Sequence, residues 1–226
     1  MSAKVAVVVG AGGGLGRATA VALAAGGLTV VAVDRNEPGL SDLPDDIRRE
    51  VADATDPAAA TRLIDRIAAE VGPPDVLVNT IGAFRLGDAL STTPETLQLM
   101  LDVNLGPALW LSQAVAPHMR QQGSGVIVHV AARPGLEPTG GMAAYSVSKA
   151  ALVHLTRILD IELRPHGIRV NAVAPQLLDT PANRATFPAE VLAHATAPDV
   201  IAGAIAFVVS DAAAPVSGAI LPAYGA

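Results

Sequence analysis

The sequence predicts an α/β fold in which helices cover both faces of a doubly wound parallel sheet. About seven short apolar runs alternate along the chain with longer helical patterns, the arrangement that produces βαβ crossovers. Several runs are unbroken stretches of Val, Ala, Ile and Leu, which is typical of strands buried on both faces. Hydrophobic residues make up 51% of the 226 residues and aromatic residues only 3%, so we expect an aliphatic core. This length fits a single domain covering residues 1–226.

The elements follow from these patterns. We expect strands at Val5–Val9, Thr29–Val33, Arg48–Val51, Val76–Val78, Val126–Val130, Arg169–Val173 and Ala219–Leu221. We expect helices at Leu15–Ala25, Pro57–Val71, Pro94–Met119, Met142–Arg164 and Pro198–Ser210. Asp56, Thr93 and Thr196 each stand one or two residues before the Pro that begins a helix, where a side chain can cap the first turn. Gly26 and Gly27 end the first helix because they tolerate a left-handed backbone.

The composition excludes several kinds of site. The net charge is −6 and the 15 basic residues form no stripe, so a nucleic-acid partner is not expected. The chain has no Cys, which removes disulfides and Cys metal sites, and its five His show no ligand spacing. No signal sequence precedes the first strand, and the apolar run Val200–Ser210 is too short to span a bilayer. We therefore expect a soluble cytoplasmic protein with no catalytic metal and no membrane partner.

A glycine-rich turn joins the first strand to the first helix. Gly10, Gly14 and Gly16 have the spacing G-x-x-x-G-x-G, which lets phosphate oxygens approach the backbone and the free N–H groups of the helix. Asp34 ends the second strand, where a carboxylate can accept both hydroxyls of an adenosine ribose. It would repel a 2′-phosphate, so NAD(H) is preferred, while the adjacent Arg35 leaves NADP(H) open. A plain flexible turn is the alternative interpretation.

Tyr145 and Lys149 stand four residues apart at the start of a helical pattern, one turn apart on one face. A free phenol has a pKa of about 10 and transfers protons poorly near neutral pH. We expect the neighbouring ammonium to lower the pKa of the phenol and make it a better acid or base. Considered alone, the two residues could also be an ordinary surface pair.

The order of these motifs resembles that of the short-chain dehydrogenase/reductases over essentially the whole chain. This resemblance implies a Rossmann-type sheet and hydride transfer between NAD(H) and a small organic carbonyl or alcohol. It implies that Tyr145 and Lys149 are the acid/base pair, and that Asn104 supports a water link to the lysine. The residues it implies for nucleotide binding are Gly10, Gly14, Leu15, Gly16, Asp34, Arg35, Asp53, Ala54, Asn79, Gly82, Tyr145, Lys149, Pro175, Leu178 and Thr180.

The sequence departs from this family at one catalytic position. Ala132 stands thirteen residues before Tyr145, where the family has a Ser, and Gly135 supports this alignment. A hydroxyl there would polarise a substrate carbonyl, and losing such a donor can cost about 2.7–4 kcal/mol in a transition state. Thr139 or the phenol itself are candidates to replace it.

At this same position the sequence resembles the dihydropteridine reductases, which use NADH, keep the Tyr and Lys and carry Ala there. The segments Leu178–Arg184 and Ile81–Gly87 are also similar to theirs. A quinonoid pterin substrate is therefore the second hypothesis. The third is a dinucleotide-binding or sensor protein without turnover, which the missing hydroxyl at Ala132 would explain.

We expect the substrate to lie where loops follow the carboxyl ends of the strands. Phe84, Ala132, Arg133 and Thr139 are the predicted pocket residues, and a short lid is expected within residues 181–197. The alternative to a pocket role is that Arg133 is a solvated charge in a loop and that Phe84 only fills a gap under the lid. The predicted helix Pro94–Met119 has too many apolar positions for one covered face, so we expect a subunit interface there. The family resemblance implies a homodimer or homotetramer.

Overall fold

The computed structural model describes residues 3–225, in which seven strands form one parallel sheet. The strands are β1 (Val5–Val9), β2 (Thr29–Asp34), β3 (Arg48–Val51), β4 (Val76–Asn79), β5 (Gly125–Val130), β6 (Ile168–Pro175) and β7 (Ile220–Ala223). Their order in the sheet is β3-β2-β1-β4-β5-β6-β7, and every pairing is parallel. The strand order reverses between β1 and β4, which is where ligands bind in folds of this type. The predicted fold class is confirmed.

Nine α-helices connect the strands within the described residues. They are α1 (Gly14–Ala25), α2 (Glu37–Leu40), α3 (Pro57–Glu70), α4 (Pro94–Asn104), α5 (Gly106–Gln122), α6 (Ala143–Leu163), α7 (Pro181–Arg184), α8 (Ala189–Leu192) and α9 (Pro198–Val209). Short 3-10 turns lie at Ala89–Ser91, Arg133–Gly135, Arg164–His166 and Asp211–Ala213. In residues 3–225, none of the helices combines the length and the apolar character that crossing a membrane requires.

The core is aliphatic and lies on both sides of the sheet. In β1, Val7 and Val9 pack on the side covered by α3, α5 and α6, while Ala6 and Val8 pack on the side covered by α1 and α9. Alternate strand residues point to opposite faces, and in this strand both faces are buried. The unbroken Val run of β1 is therefore the sequence signature of its central place in the sheet.

The predicted helix Pro94–Met119 is wrong, because two helices occupy this stretch. The first ends at Asn104 and the second begins at Gly106. Pro107 lacks an N–H and cannot donate to the carbonyl of Val103, and the residue before a proline is disfavoured in the helical conformation. The break places the side chain of Asn104 at a helix end beside the predicted site.

The helix caps agree with prediction at two of three sites. The side chain of Asp56 accepts from the N–H of Ala58, and that of Thr93 accepts from the N–H of Thr96. The predicted cap at Thr196 is wrong, because Ala197 holds the cap position and the backbone of Thr196 pairs instead with the loop after β6. After α1, only Gly27 is left-handed, with φ +85°, while Gly26 has φ −76°.

Candidate active site

Loops at the carboxyl ends of β1 to β4 enclose a cavity of about 220 Å³ at the point where the strand order reverses. A larger cavity, of about 490 Å³, lies at the amino ends of the strands, opposite the predicted site, and includes Lys4, Asp75 and Asp211. Lys4 there is paired with Asp211, and Asp75 accepts from the backbone N–H of Val5. We take the smaller cavity as the candidate site because it collects six of the predicted nucleotide-binding residues. These are Gly10, Asp34, Arg35, Asp53, Ala54 and Gly82.

The glycine-rich turn depends on close backbone contacts. Gly10 has φ +88°, which favours glycine, and its N–H donates to the carbonyl of Val33 at 2.8 Å. A Cβ on Gly16 would lie 2.1 Å from the carbonyl oxygen of Gly10, so the helix can approach the turn only without a side chain. Helix α1 begins at Gly14, one residue before the predicted Leu15, and its free N–H groups lie beside the turn.

Asp34 is fixed beside this turn. One carboxylate oxygen accepts from the N–H of Gly12 at 2.9 Å, and the other accepts from the N–H of Asn36 at 2.9 Å. Arg35 is exposed next to it. The carboxylate is therefore held at the edge of the cavity, with an exposed cation as its neighbour in sequence.

Two further predicted residues shape the loops around the cavity. Asp53 accepts from both the N–H and the hydroxyl of Thr55, and these bonds lower the pKa of Asp53. Asn79 is buried at the end of β4, and its side-chain oxygen accepts from the N–H of Ile81 at 3.0 Å. Each side chain thus holds a turn at the carboxyl end of a strand.

The loop after β6 closes the candidate site from the other side. Pro175 ends β6, and Leu178 forms an isolated parallel bridge with Thr196. Thr180 caps α7 by accepting from the N–H of Asn183 at 3.3 Å. A Cβ on Gly14 would lie 2.8 Å from the side-chain methyl of Thr180, so this loop touches the glycine-rich turn.

Tyr145 and Lys149 lie in the first turns of α6 as predicted. The ring of Tyr145 lies 6.2 Å from that of Phe84, in the loop after β4, so the phenol faces the loops around the site. Lys149 is 3% exposed, and its Nζ donates to the carbonyl of Val130 at 2.9 Å. A Cβ on Gly82 would lie 3.1 Å from this Nζ, which brings Lys149 to the cavity.

Burial acts on both members of the Tyr145–Lys149 pair. It raises the pKa of Tyr145 to about 12, because a phenolate is poorly solvated there. It also lowers the pKa of Lys149 to about 8. The expected lowering of the phenol pKa by the charge of Lys149 stays a prediction.

Asn104 joins three elements through its side-chain amide. It accepts from the N–H of Ala83 at 3.0 Å and donates to the carbonyl of the same residue at 2.9 Å. It also donates to the hydroxyl of Ser148 at 3.0 Å, and that hydroxyl donates to the carbonyl of Tyr145. The amide thus ties the end of α4 to the loop after β4 and to α6.

Ala132 follows β5 and is 4% exposed. Because this residue is Ala, no side-chain hydroxyl is present at the position where the family resemblance implies a Ser. A Cβ on Gly135 would lie 2.7 Å from the backbone carbon of Lys149, so this glycine packs directly on α6 and supports the predicted alignment. Thr139 is exposed and donates to the carbonyl of Glu137. The hydroxyl of Thr139 therefore has a local partner within its own loop.

Arg133 belongs to a polar cluster that the sequence did not reveal. Its guanidinium donates to Glu137 at 2.7 Å and to the side-chain oxygen of Gln176 at 3.0 Å. It also lies 5.0 Å from the centre of the Tyr224 ring, a cation–π distance. Tyr224 follows β7 and comes to this rim only because β7 pairs with β6.

His129, in β5, is a polar residue whose side chain is buried. It is fully buried, and its Nε2 lies 3.3 Å from the hydroxyl of Ser112. Within residues 3–225, its Nδ1 has no hydrogen-bond partner. Burial, with a smaller contribution from the charge of Lys149, lowers the pKa of His129 to about 3. In the described part of the chain, no group of His, Asp and Glu residues could hold a metal ion.

The strand order and the glycine-rich turn at its reversal define a Rossmann-type α/β protein. A family model described as short chain dehydrogenase matches residues 4–191. The chain belongs to the short-chain dehydrogenase family of oxidoreductases.

Individual relatives align over almost their whole length. The chain is 33% identical to 4-formylbenzenesulfonate dehydrogenase of Comamonas testosteroni, covering 100% of this chain and 98% of that protein. It is 33% identical to 3-oxoacyl-[acyl-carrier-protein] reductase of Escherichia coli, covering 98% and 96%. The crystal structure of gox2181 superposes with a TM-score of 0.93 at 29% identity, covering 99% of this chain and 95% of that one.

Proposed function

We propose that this protein transfers hydride between NAD(H) and a small organic carbonyl or alcohol. The observation that carries the proposal is the convergence of Lys149 and Asn104 on Gly82, at the cavity that also contains Gly10 and Asp34. A nucleotide bound along this cavity would have its reactive end beside α6. Membership in the short-chain dehydrogenase family does not depend on these residues, because the family model matches residues 4–191 as a whole.

The residues present fit a dinucleotide. The first turn of α1, which begins at Gly14, leaves backbone N–H groups for phosphate oxygens, and a Cβ at Gly10 would lie only 2.6 Å from the hydroxyl of Thr80. Asp34, already oriented by Gly12 and Asn36, would accept the ribose hydroxyls and disfavour a 2′-phosphate. We therefore propose NAD(H) as the preferred cofactor, with NADP(H) as the weaker one.

In this proposal the chain positions the substrate and moves one proton, while the bound nucleotide supplies or accepts the hydride. Tyr145, whose pKa of about 12 keeps it protonated at neutral pH, donates to the carbonyl oxygen. Lys149 would hold the nicotinamide ribose and, when charged, would favour loss of the phenol proton. Asn104 keeps α6 and the loop after β4 in register through Ser148 and Ala83.

A pterin substrate is the second candidate, and Ala132 is the observation that favours it. Without a hydroxyl at this position, a simple carbonyl lacks one hydrogen-bond donor, whereas hydride delivery to a quinonoid pterin does not need it. The relatives named above add no support to this alternative. Supplying NADH with freshly generated quinonoid dihydropterin tests it, and a rate equal to the uncatalysed background would remove it.

The central experiment is titration with NADH and NADPH, followed by turnover on a panel of ketones, aldehydes, alcohols and pterin. We expect tighter NADH binding and oxidation of NADH with at least one carbonyl substrate. Tyr145→Phe should reduce kcat by about 10²–10⁴-fold, with a much smaller change in nucleotide affinity. Unchanged turnover in this variant would contradict the mechanism. Tight NADH binding with no turnover on the whole panel would instead support a silent sensor.

We also propose that the protein forms a homodimer or homotetramer through α4 and α5. Leu97 and Leu99 of α4 are 37% and 41% exposed, which leaves apolar surface on this helix for a second copy. Light scattering of the purified protein tests this, and a monomer at micromolar concentration would contradict it.

A further inference from the structure

Three aromatic rings meet at the mouth of the candidate site. The rings of Phe84 and Phe187 are stacked, with centroids 5.5 Å apart and planes 14° apart. The ring of Phe84 also meets Tyr145 edge-on, with centroids 6.2 Å apart and planes 69° apart. Phe84, Tyr145 and Phe187 thus form one continuous aromatic cluster, which connects the loop after β4, helix α6 and the predicted lid.

This cluster is unusual for the chain that contains it. The whole sequence has three Phe, two Tyr and one Trp, and the two hydrophobic clusters that flank the sheet consist of aliphatic side chains with one partly buried Trp. Val, Ala, Leu and Ile therefore fill space elsewhere in the molecule. Phe84 nevertheless lies beside the one Tyr that the proposed chemistry uses, and a second of the three Phe, Phe187, stacks on Phe84.

The backbone on both sides of the cluster is held in place. Ala83, directly before Phe84, makes two hydrogen bonds with the side chain of Asn104. The lid that carries Phe187 is fixed at its base, where the backbone N–H of Asp179 donates to Thr196 and the side chain of Asp179 pairs with Arg184. Phe84 and Phe187 are themselves only half-buried, so part of each ring remains free for a ligand.

We propose that the substrate of this site is a planar aromatic aldehyde or ketone, or the corresponding aryl alcohol. A carbonyl oxygen bonded to the hydroxyl of Tyr145 places its substituent against the neighbouring ring of Phe84. Aromatic rings gain from stacked or edge-on contacts beyond the area they bury, and a saturated ring of equal size lacks this gain. The assignment rests on the proposed hydride transfer and specifies its substrate.

The reaction balances with reduced nicotinamide dinucleotide as the co-reactant. Its hydride, carrying two electrons, forms a C–H bond at the carbonyl carbon as the C=O π bond opens. Tyr145 gives its proton to the oxygen, and solvent returns a proton to the phenolate. The aryl carbonyl is reduced to the alcohol, and the nicotinamide is oxidised.

The test compares benzaldehyde with cyclohexanecarbaldehyde, its saturated counterpart, in the full-length enzyme. We expect kcat/KM for benzaldehyde to be about tenfold higher. Phe84→Leu and Phe187→Leu, which keep apolar bulk but remove a ring, should each lower kcat/KM for benzaldehyde by about three- to tenfold. Both variants should lower kcat/KM for the saturated aldehyde by a clearly smaller factor than for benzaldehyde. Phe207→Leu is the matched control, since Phe207 is 51% exposed on α9.

A second measurement keeps the test independent of turnover. Benzyl alcohol and cyclohexylmethanol are titrated against the enzyme–NADH complex, where ring-selective binding that Phe84→Leu abolishes supports the assignment. Equal binding and equal rates for the two ring types, or equal losses in the variants, would overturn it and leave the proposed hydride transfer intact. Ring-selective binding without oxidation of NADH by either aldehyde would support the ligand class and contradict the hydride transfer.

Discussion

The Nζ of Lys149 donates a hydrogen bond to the carbonyl oxygen of Val130 at 2.9 Å. This carbonyl is the last in β5, so the bond ties the buried ammonium of α6 to the carboxyl end of the central sheet. The backbone of β5 therefore holds the ammonium in a fixed position beside the cavity.

Lys149→Met should remove both the charge and the donor at this position. We expect kcat/KM to fall at least about 100-fold, because the phenol loses the cation that favours its deprotonation. Steady-state kinetics with NADH measures this. Lys4→Met is the matched control, since Lys4 is exposed and paired with Asp211 at the amino ends of the strands, away from the predicted site. A loss in Lys4→Met as large as in Lys149→Met would contradict the assigned role.

Asp34→Ser should change the choice between nucleotides. Removing the carboxylate ends its repulsion of a 2′-phosphate and its bonds to ribose hydroxyls, so the ratio of kcat/KM for NADPH to that for NADH should rise about tenfold or more. Loss of the bond to the N–H of Gly12 should weaken binding of both nucleotides, which is why the ratio is the quantity to measure. Asp45→Ser, at an exposed residue, should leave the ratio unchanged.

Ala132→Ser should restore the hydroxyl that the family has at this position. A donor aimed at a developing oxyanion contributes about 10²–10³ in rate elsewhere, so we expect at least a tenfold gain in kcat/KM on carbonyl substrates. Ala131→Ser adds a hydroxyl to the adjacent buried residue and serves as the control. If neither variant gains activity on any carbonyl, the phenol alone is sufficient to hold the substrate oxygen.

His129 predicts a specific dependence of stability on pH. Its folded pKa of about 3 lies below the ordinary value of 6.5, so between these values the unfolded chain binds more protons. Its contribution to stability is complete above pH 6.5 and is lost as the pH falls toward 3. The free energy of unfolding of the native protein should therefore fall more steeply than that of His129→Asn, by about 1.4 kcal/mol per pH unit.

Denaturant titrations of both proteins between pH 6.5 and 4 measure this difference. His166→Asn, at an exposed residue, is the matched substitution. Parallel pH profiles for the native protein and His129→Asn would show that His129 takes up a proton in the folded state.

The fold could be predicted because its causes are local in sequence. The Val run of β1 and the glycines that follow it specify a buried strand and a tight turn without reference to any distant residue. The break after Asn104 was missed because proline gives an ambiguous signal in this stretch. Pro107 stands in the first turn of α5, just after the break between the two helices, whereas Pro117 lies inside α5 and does not end it.

The candidate site could be predicted only as far as its motifs. Nothing in the sequence indicates that Asn104 bonds to the backbone of Ala83, since a backbone group has the same donor and acceptor at every residue. The contact of Arg133 with Gln176 spans 43 residues and depends on how two strands align. The raised pKa of Tyr145 could not be predicted for a related reason, because burial is a property of the packed molecule rather than of the spacing of Tyr145 and Lys149.

The contact between Gly14 and Thr180 joins segments from the two halves of the sheet. These segments are two walls of one groove, and its width depends on the small size of residue 14, because a Cβ there would lie 2.8 Å from the side-chain methyl of Thr180. A larger residue at position 14 would push these walls apart. It should weaken nucleotide affinity chiefly by making the groove less rigid.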